Sequence, residues 1–162
     1  MTEPGRTSRL FPSLLDRLTD DEQLEQPRTP FAARARSQAL LDSIVRDVAD
    51  LLNTRPRAIG WRSQLRELHS SLLTCGLPDY TGRDFVSAAD RESLRQSIES
   101  VIRRLEPRLQ AVHVRLIDNV ESLDNRIRFE ISGRVGAEAE PLCFRMDRFH
   151  EAGNFSLTDE AT

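Results

Sequence analysis

Residues 89–117 read ADRESLRQSIESVIRRLEPRLQAVHVRLI, and the apolar period changes inside this stretch. Up to Leu105 the residues Leu94, Ile98, Val101, Ile102 and Leu105 recur at three- and four-residue spacing, which is one buried stripe of a helix. The spacing predicts a helix over 88–105. Ser87 supplies an N-cap, Asp90 and Glu92 sit early, where the helix dipole favours acids, and Arg103 and Arg104 sit in the last turn, where it favours cations. Pro107 stops the helix, because proline has no amide proton and pushes the residue before it out of the helical region. Beyond it Val112, Val114 and Leu116 alternate with His113, Arg115 and Ile117, the two-residue period of a strand with one covered face.

Downstream the same alternation returns. Ile127, Phe129 and Ile131 follow a polar turn at 118–125 and predict the second half of an antiparallel hairpin. Leu142, Phe144 and Met146 give a third strand, and Phe155 with Leu157 a short fourth. Upstream, Leu41, Ile44, Val45, Val48, Leu51 and Leu52 predict an amphipathic helix over 32–53, ended by Asn53-Thr54-Arg55-Pro56. Residues 57–86 fit two patterns: a helix carrying Trp61, Leu65, Leu68, Leu72 and Leu73, or a short extended segment at 70–75 running into a turn-rich stretch. Residues 1–30 hold four of the eight prolines and read as an arm, within which Leu14, Leu15 and Leu18 share one face of a short helix suited to docking on a partner or on the chain's own surface. The expected fold class is α+β: two amphipathic helices packed on a small antiparallel sheet of three to four strands, with an extended N-terminal arm. The expected division is arm 1–30, one domain over 31–158, and a tail at 159–162.

Composition removes several chemistries. All 23 basic residues are Arg, so a Schiff-base lysine and a P-loop lysine are excluded. A net charge of −3 argues against bulk capture of nucleic acid or anionic membrane, and Asp and Glu are interleaved with the Arg throughout. No run approaches the length of a membrane span and the N-terminus lacks an apolar signal core, so a cytoplasmic protein is expected. Cys75 and Cys143 are too few for a disulfide framework or a zinc cluster and read as two semi-buried reduced thiols. Catalytic signatures are absent, and His69, His113 and His150 are scattered. No cofactor or metal is expected.

A carboxylate pair for glycoside cleavage would need one acid in an apolar pocket, and only Glu106 and Asp79 stand beside apolar turns. The tripeptide Glu106-Pro107-Arg108 carries more. Pro107 fixes a corner, and if Arg108 is extended the two charged side chains, two apart, point the same way. The local alternative has Arg108 capping the preceding helix carbonyls and Glu106 paired with a neighbouring Arg.

Taken together, LLNTR at 51–55, CGLPDYTG at 75–82, the acidic-start helix running into LEPRL at 105–109, the alternation after it and SLLDRLTDDE at 13–22 resemble the TssE family. These are baseplate proteins of type VI secretion systems, similar to the small "lysozyme-like" wedge protein of contractile phage tails. Cys75, where an aromatic residue is expected, and Leu105, where Phe is common, depart from the family pattern. The resemblance implies a structural function with no catalysis: a place in a sixfold-symmetric baseplate near the inner membrane, with larger wedge proteins and sheath subunits as partners, and a part in starting sheath polymerisation. It further implies that Glu106, Pro107 and Arg108 contact the wedge core. An open sheet edge near Phe144 or Phe155 would template a strand of the first sheath ring. The alternative inherited from the phage relative is a peptidoglycan-cleaving hydrolase. Purified chain added to cell walls is expected to leave their turbidity unchanged, whereas clearing that disappears on removal of a carboxylate would establish the hydrolase.

Overall fold

The computed structural model describes residue 18 and residues 30–57, 64–65, 67–68, 71–80, 85, 87–117, 126–136, 141–149 and 153–158, the side chains of 30–36 and 149 excepted. Helix α1 spans Pro30–Asn53. Ile44, Val48 and Leu52 are fully buried on it, with Leu41, Val45 and Leu51 packed beside them. It ends as its sequence dictates: the Thr54 amide and hydroxyl both donate to the Asp50 carbonyl, at 2.9 and 2.8 Å.

Between the helices, neither pattern read from the sequence is realised at 71–75. Leu72–Thr74 form a 3-10 turn whose N-cap, Ser71, accepts a hydrogen bond from the Leu73 amide. Thr74 is the buried residue of the turn, its hydroxyl donating to the Leu68 and Ser71 carbonyls, and Leu72 and Leu73 point outward, Leu72 with 89% of its surface exposed. The leucine spacing mimicked a core stripe because periodicity counts apolar residues without knowing which backbone groups are already satisfied. Trp61 lies outside the described residues. The chain then returns to α1, where the Leu77 amide donates to the Thr54 carbonyl at 3.0 Å. That approach requires Gly76: its φ is +108°, and a Cβ there would stand 2.2 Å from the same carbonyl oxygen.

Helix α2 covers Ala88–Leu105, with Ser87 as N-cap accepting from the Asp90 amide at 3.0 Å. Four strands follow: β1 (Leu109–Ile117), β2 (Arg126–Val135), β3 (Pro141–Phe149) and β4 (Phe155–Thr158). They form one antiparallel meander in the order β1-β2-β3-β4, so β1 and β4 are its edges. Phe144 therefore lies on an inner strand and Phe155 on an edge. Helix α2 packs along β1, and α1 packs against β4 and α2. Both helices cover one face, where Val112, Val114, Phe129, Ile131, Phe144, Met146 and Phe155 meet the helical stripes. The Phe129 and Phe155 rings lie 6.0 Å apart.

Two features break the simple alternation. Gln110 pairs with Arg134 and His113 with Ser132, so β1 carries one residue more than β2 over this span, and Ala111 sits at φ +49°. Gly133 makes room for this bulge: a Cβ on it would lie 2.7 Å from Leu109 Cδ1. The core face of β3 ends on a charge, Arg148, which is 1% exposed. Its guanidinium carbon stands 4.7 Å from the centre of the Phe85 ring, and Nη2 donates to the Tyr80 carbonyl at 3.0 Å. Burial, and then the charge of Arg55, push the Arg148 pKa down, with Asp79 opposing.

Gly76→Ala is expected to cost at least roughly 1–3 kcal/mol from the left-handed backbone alone, before the clash with Thr54 is counted. Urea unfolding of the variant against the parent chain measures it.

Candidate functional site

The Glu106-Pro107-Arg108 corner forms where α2 stops. The Glu106 amide closes the helix on the Ile102 carbonyl at 2.8 Å, Pro107 is exposed, and the Leu109 amide turns back to the Glu106 carbonyl at 3.2 Å. The two charged side chains meet, although Arg108 lies in the turn and is not extended, so the turn brings them together and not strand alternation. Arg108 Nε and Nη2 donate to the two Glu106 carboxylate oxygens at 2.7 and 2.6 Å, and the Arg108 amide adds a third bond at 3.2 Å. A third residue completes the cluster: Arg108 Nη2 also donates to Asp47 Oδ2 on α1 at 2.6 Å. Glu106 is buried, and Arg108 and Asp47 are half-buried. Bonding to Glu106 raises the Arg108 pKa, burial opposes it, and Asp47 adds to the rise. Arg108 Nη1 is buried and makes no hydrogen bond. Arg108 thus pairs with acids and does not cap the helix. Asp79, the other acid singled out from the sequence, is exposed and lies 3.7 Å from Arg55.

The two sheet edges are occupied by helix side chains. On β1, Arg103 donates twice to the Val112 carbonyl, at 3.2 and 2.7 Å, and Arg95 donates to the Val114 carbonyl at 3.1 Å. The Val114 amide in turn donates to Glu99 at 3.3 Å. Glu99 is itself paired with Arg95 at 2.7 Å and Arg103 at 2.6 Å, and Arg95 also grips Glu92. On β4, Asn53 at the end of α1 donates to the Phe155 carbonyl at 2.9 Å and accepts from its amide at 2.8 Å. The sequence reading treated Asn53 as a helix stop and Arg103 as a dipole partner. The face shared by Glu92, Arg95, Glu99 and Arg103 was visible at three- and four-residue spacing, but their strand partners were not.

The sheet face away from the helices is rich in Arg. Arg115, Glu130 and Arg145 stand in one cross-strand row, with ion pairs of 2.6 and 3.9 Å, and Asp147 lies between Arg126 and Arg128 at 3.8 and 3.6 Å. Acids and Arg are therefore interleaved across strands as well as along them. Cys143, expected to be semi-buried, is exposed on this face because its neighbours Leu142 and Phe144 take the core side. Of the arm residues, Leu18 is helical and 75% exposed, and Leu14 and Leu15 lie outside the described residues. Among the described residues no group of His, Cys, Asp and Glu is arranged to hold a metal, and no helix is long and apolar enough to cross a membrane.

A family model described as baseplate wedge protein gp25 matches residues 38–140, nearly two thirds of the chain. The chain belongs to this baseplate wedge family. The resemblance read from the sequence is borne out at that level. The match takes in the 105–109 corner, most of α1, and all of α2, β1 and β2. Among solved structures, a chain of "The baseplate complex from the type VI secretion system" shares the wedge protein's fold, with a TM-score of 0.53 and 17% identity over 71% of this chain and 97% of that one. No curated protein sequence matches.

The acid network on β1 sets a pH dependence. Hydrogen bonds from Arg95 and then Gln96 hold the half-buried Glu92 carboxyl down to about 2. Desolvation pushes Glu99 up, but the Val114 amide, Arg95 and Arg103 outweigh it and hold it below the ordinary carboxylate value. A depressed folded pKa gives stability that is present above the unfolded value and lost as pH falls through the folded one. The difference in urea midpoint between the parent chain and Glu99→Gln is expected to be widest above the ordinary glutamate value, about 4.3, and to narrow as the pH falls below it. A difference independent of pH would rule out the network's role.

Proposed function

We propose that this wedge-family chain is a structural baseplate component of a type VI secretion system that links the wedge to the contractile sheath and starts sheath polymerisation. The observation that carries the reading is the family match across the 105–109 corner and the first half of the sheet. The fold shared with a type VI baseplate chain supports the choice of machine. In this reading the chain works in the cytoplasm at the inner-membrane-proximal baseplate, within a sixfold-symmetric hetero-oligomer. Residues 31–158 act as one wedge-like domain, 1–30 as a docking arm and 159–162 as a tail.

Glu106, Pro107 and Arg108 form the contact with the larger wedge proteins. Asp47 and Glu106 hold the corner in one conformation, so a partner meets a surface whose ordering cost was met during folding. Leu14, Leu15 and Leu18 form a second contact, supported by the exposure of Leu18. The sheath is engaged by strand addition at a sheet edge, which ties its register to the side-chain alternation of this chain.

The corner is tested by co-purification with the wedge proteins. Glu106→Ala and Arg108→Ala are both expected to weaken association. Arg108→Ala leaves Glu106 buried without its partner, at a cost of about 3 kcal/mol, so its folding is checked by circular dichroism. Arg108→Lys keeps the charge and loses the fork, and it is expected to fold and to lose about tenfold in association. Undiminished association of a folded Arg108→Lys chain would overturn the contact.

A further inference from the structure

A strand at the border of an antiparallel sheet turns the N–H and C=O of every second residue outward. The bonds to Val112, Val114 and Phe155 fix that alternation, so the outward positions are Val112, Val114 and Leu116 on β1 and Phe155 and Leu157 on β4. The same residues point their side chains to the core side. A helix side chain bonded to an outward backbone group stands where the backbone of an added strand would stand.

The two edges are closed with unequal strength. On β1 the stand-ins are three charged groups making four bonds to the strand, and ion pairs of 2.7 and 2.6 Å join them to one another. Displacing one exposes the charge of the next, and charge-assisted bonds are roughly twice as strong as neutral ones. On β4 the stand-in is one neutral amide, Asn53, the last residue of α1, with a single bond in each direction. Beside it Leu157 is 41% exposed, whereas Val114 is 5% exposed. A partner backbone that displaces Asn53 replaces its two hydrogen bonds like for like and covers an apolar side chain as well.

We propose that β4 is the edge that takes a partner strand, that Asn53 is the latch the incoming backbone displaces, and that Arg95, Glu99 and Arg103 are the specificity residues closing β1, so the sheet extends in one direction only. The inference rests on the strand-addition reading above. The partner is an extended protein segment with an apolar side chain opposite Leu157.

The test uses the full chain and purified sheath subunits of the same secretion system as the probe. Proline at Leu157 or Leu116 deletes only an outward N–H and leaves the ladder to the neighbouring strand intact, so both variants are expected to fold. Leu157→Pro is expected to abolish binding, Leu116→Pro to leave it within about twofold, and Asn53→Ala to tighten it by up to about thirtyfold, the worth of two neutral hydrogen bonds of about 1 kcal/mol each. If circular dichroism finds Asn53→Ala unfolded, Asn53→Asp, which keeps an acceptor for the Phe155 amide and loses the donor, takes its place. Loss with Leu116→Pro and not Leu157→Pro overturns the choice of edge and leaves strand addition standing. Loss with both overturns the closure of β1. Loss with neither overturns strand addition itself. Unchanged binding by a folded Asn53 variant overturns the latch.

Discussion

A guanidinium held at the junction of two helices and a strand must be paired, and Arg108 meets that requirement by joining all three elements. Its fork closes on Glu106, the residue that ends α2, and its Nη2 reaches Asp47 on α1. An unpaired charge in such a place costs several kcal/mol, so the three residues fold as a unit or not at all. Pro107 makes the geometry possible, because it forbids the helix from continuing and turns Arg108 back alongside Glu106. From that corner the direction of β1 follows, and with it the meander that β1 begins. The motif that the family resemblance marks for a partner is thus also what holds the helices to the sheet.

The same economy governs the sheet borders. A four-stranded open sheet has two of them, and exposed strand edges invite unwanted pairing. Here the helices that cover one face also reach around its sides: α2 lays charged groups along β1, and α1 ends in an amide that meets β4. Arg suits these edge positions. One planar fork reaches a backbone carbonyl and a carboxylate together, as Arg95 does with Val114, Glu92 and Glu99. A lysine ammonium is a point charge without that geometry.

How much of this could be read from the sequence depends on the range of the forces involved. Helix α2 was legible to the residue, because its cap, dipole charges and stripe are all local signals. The four strands were legible as alternations, and Glu106 with Arg108 was legible as a charged pair at a proline corner, though not the turn at Arg108 that closes it. Asp47 was not legible, being 61 positions from Arg108, nor was Asn53, 102 positions from Phe155. Such contacts leave no periodic trace. Arg148 escaped notice because alternation predicts which face a residue takes but not that an Arg there would find Phe85 and the Tyr80 carbonyl. Leu72 and Leu73 escaped for the opposite reason, having the spacing of a core stripe while hydroxyl and amide bonds hold the backbone at 72–74 in a tight turn.

The bulge in β1 has a bearing on how this chain is aligned with others. Leu109 and Val112 both face the core although they are three positions apart, an offset that regular alternation would send to opposite faces, and the extra residue at the left-handed Ala111 makes that possible. The corner and the strand are therefore in different phases. A relative that keeps the corner and has a regular strand must be one residue shorter here, and the gap belongs at 111. Placed anywhere later, it would set core positions against solvent positions along the whole strand, and substitutions would be counted where the chemistry has not changed.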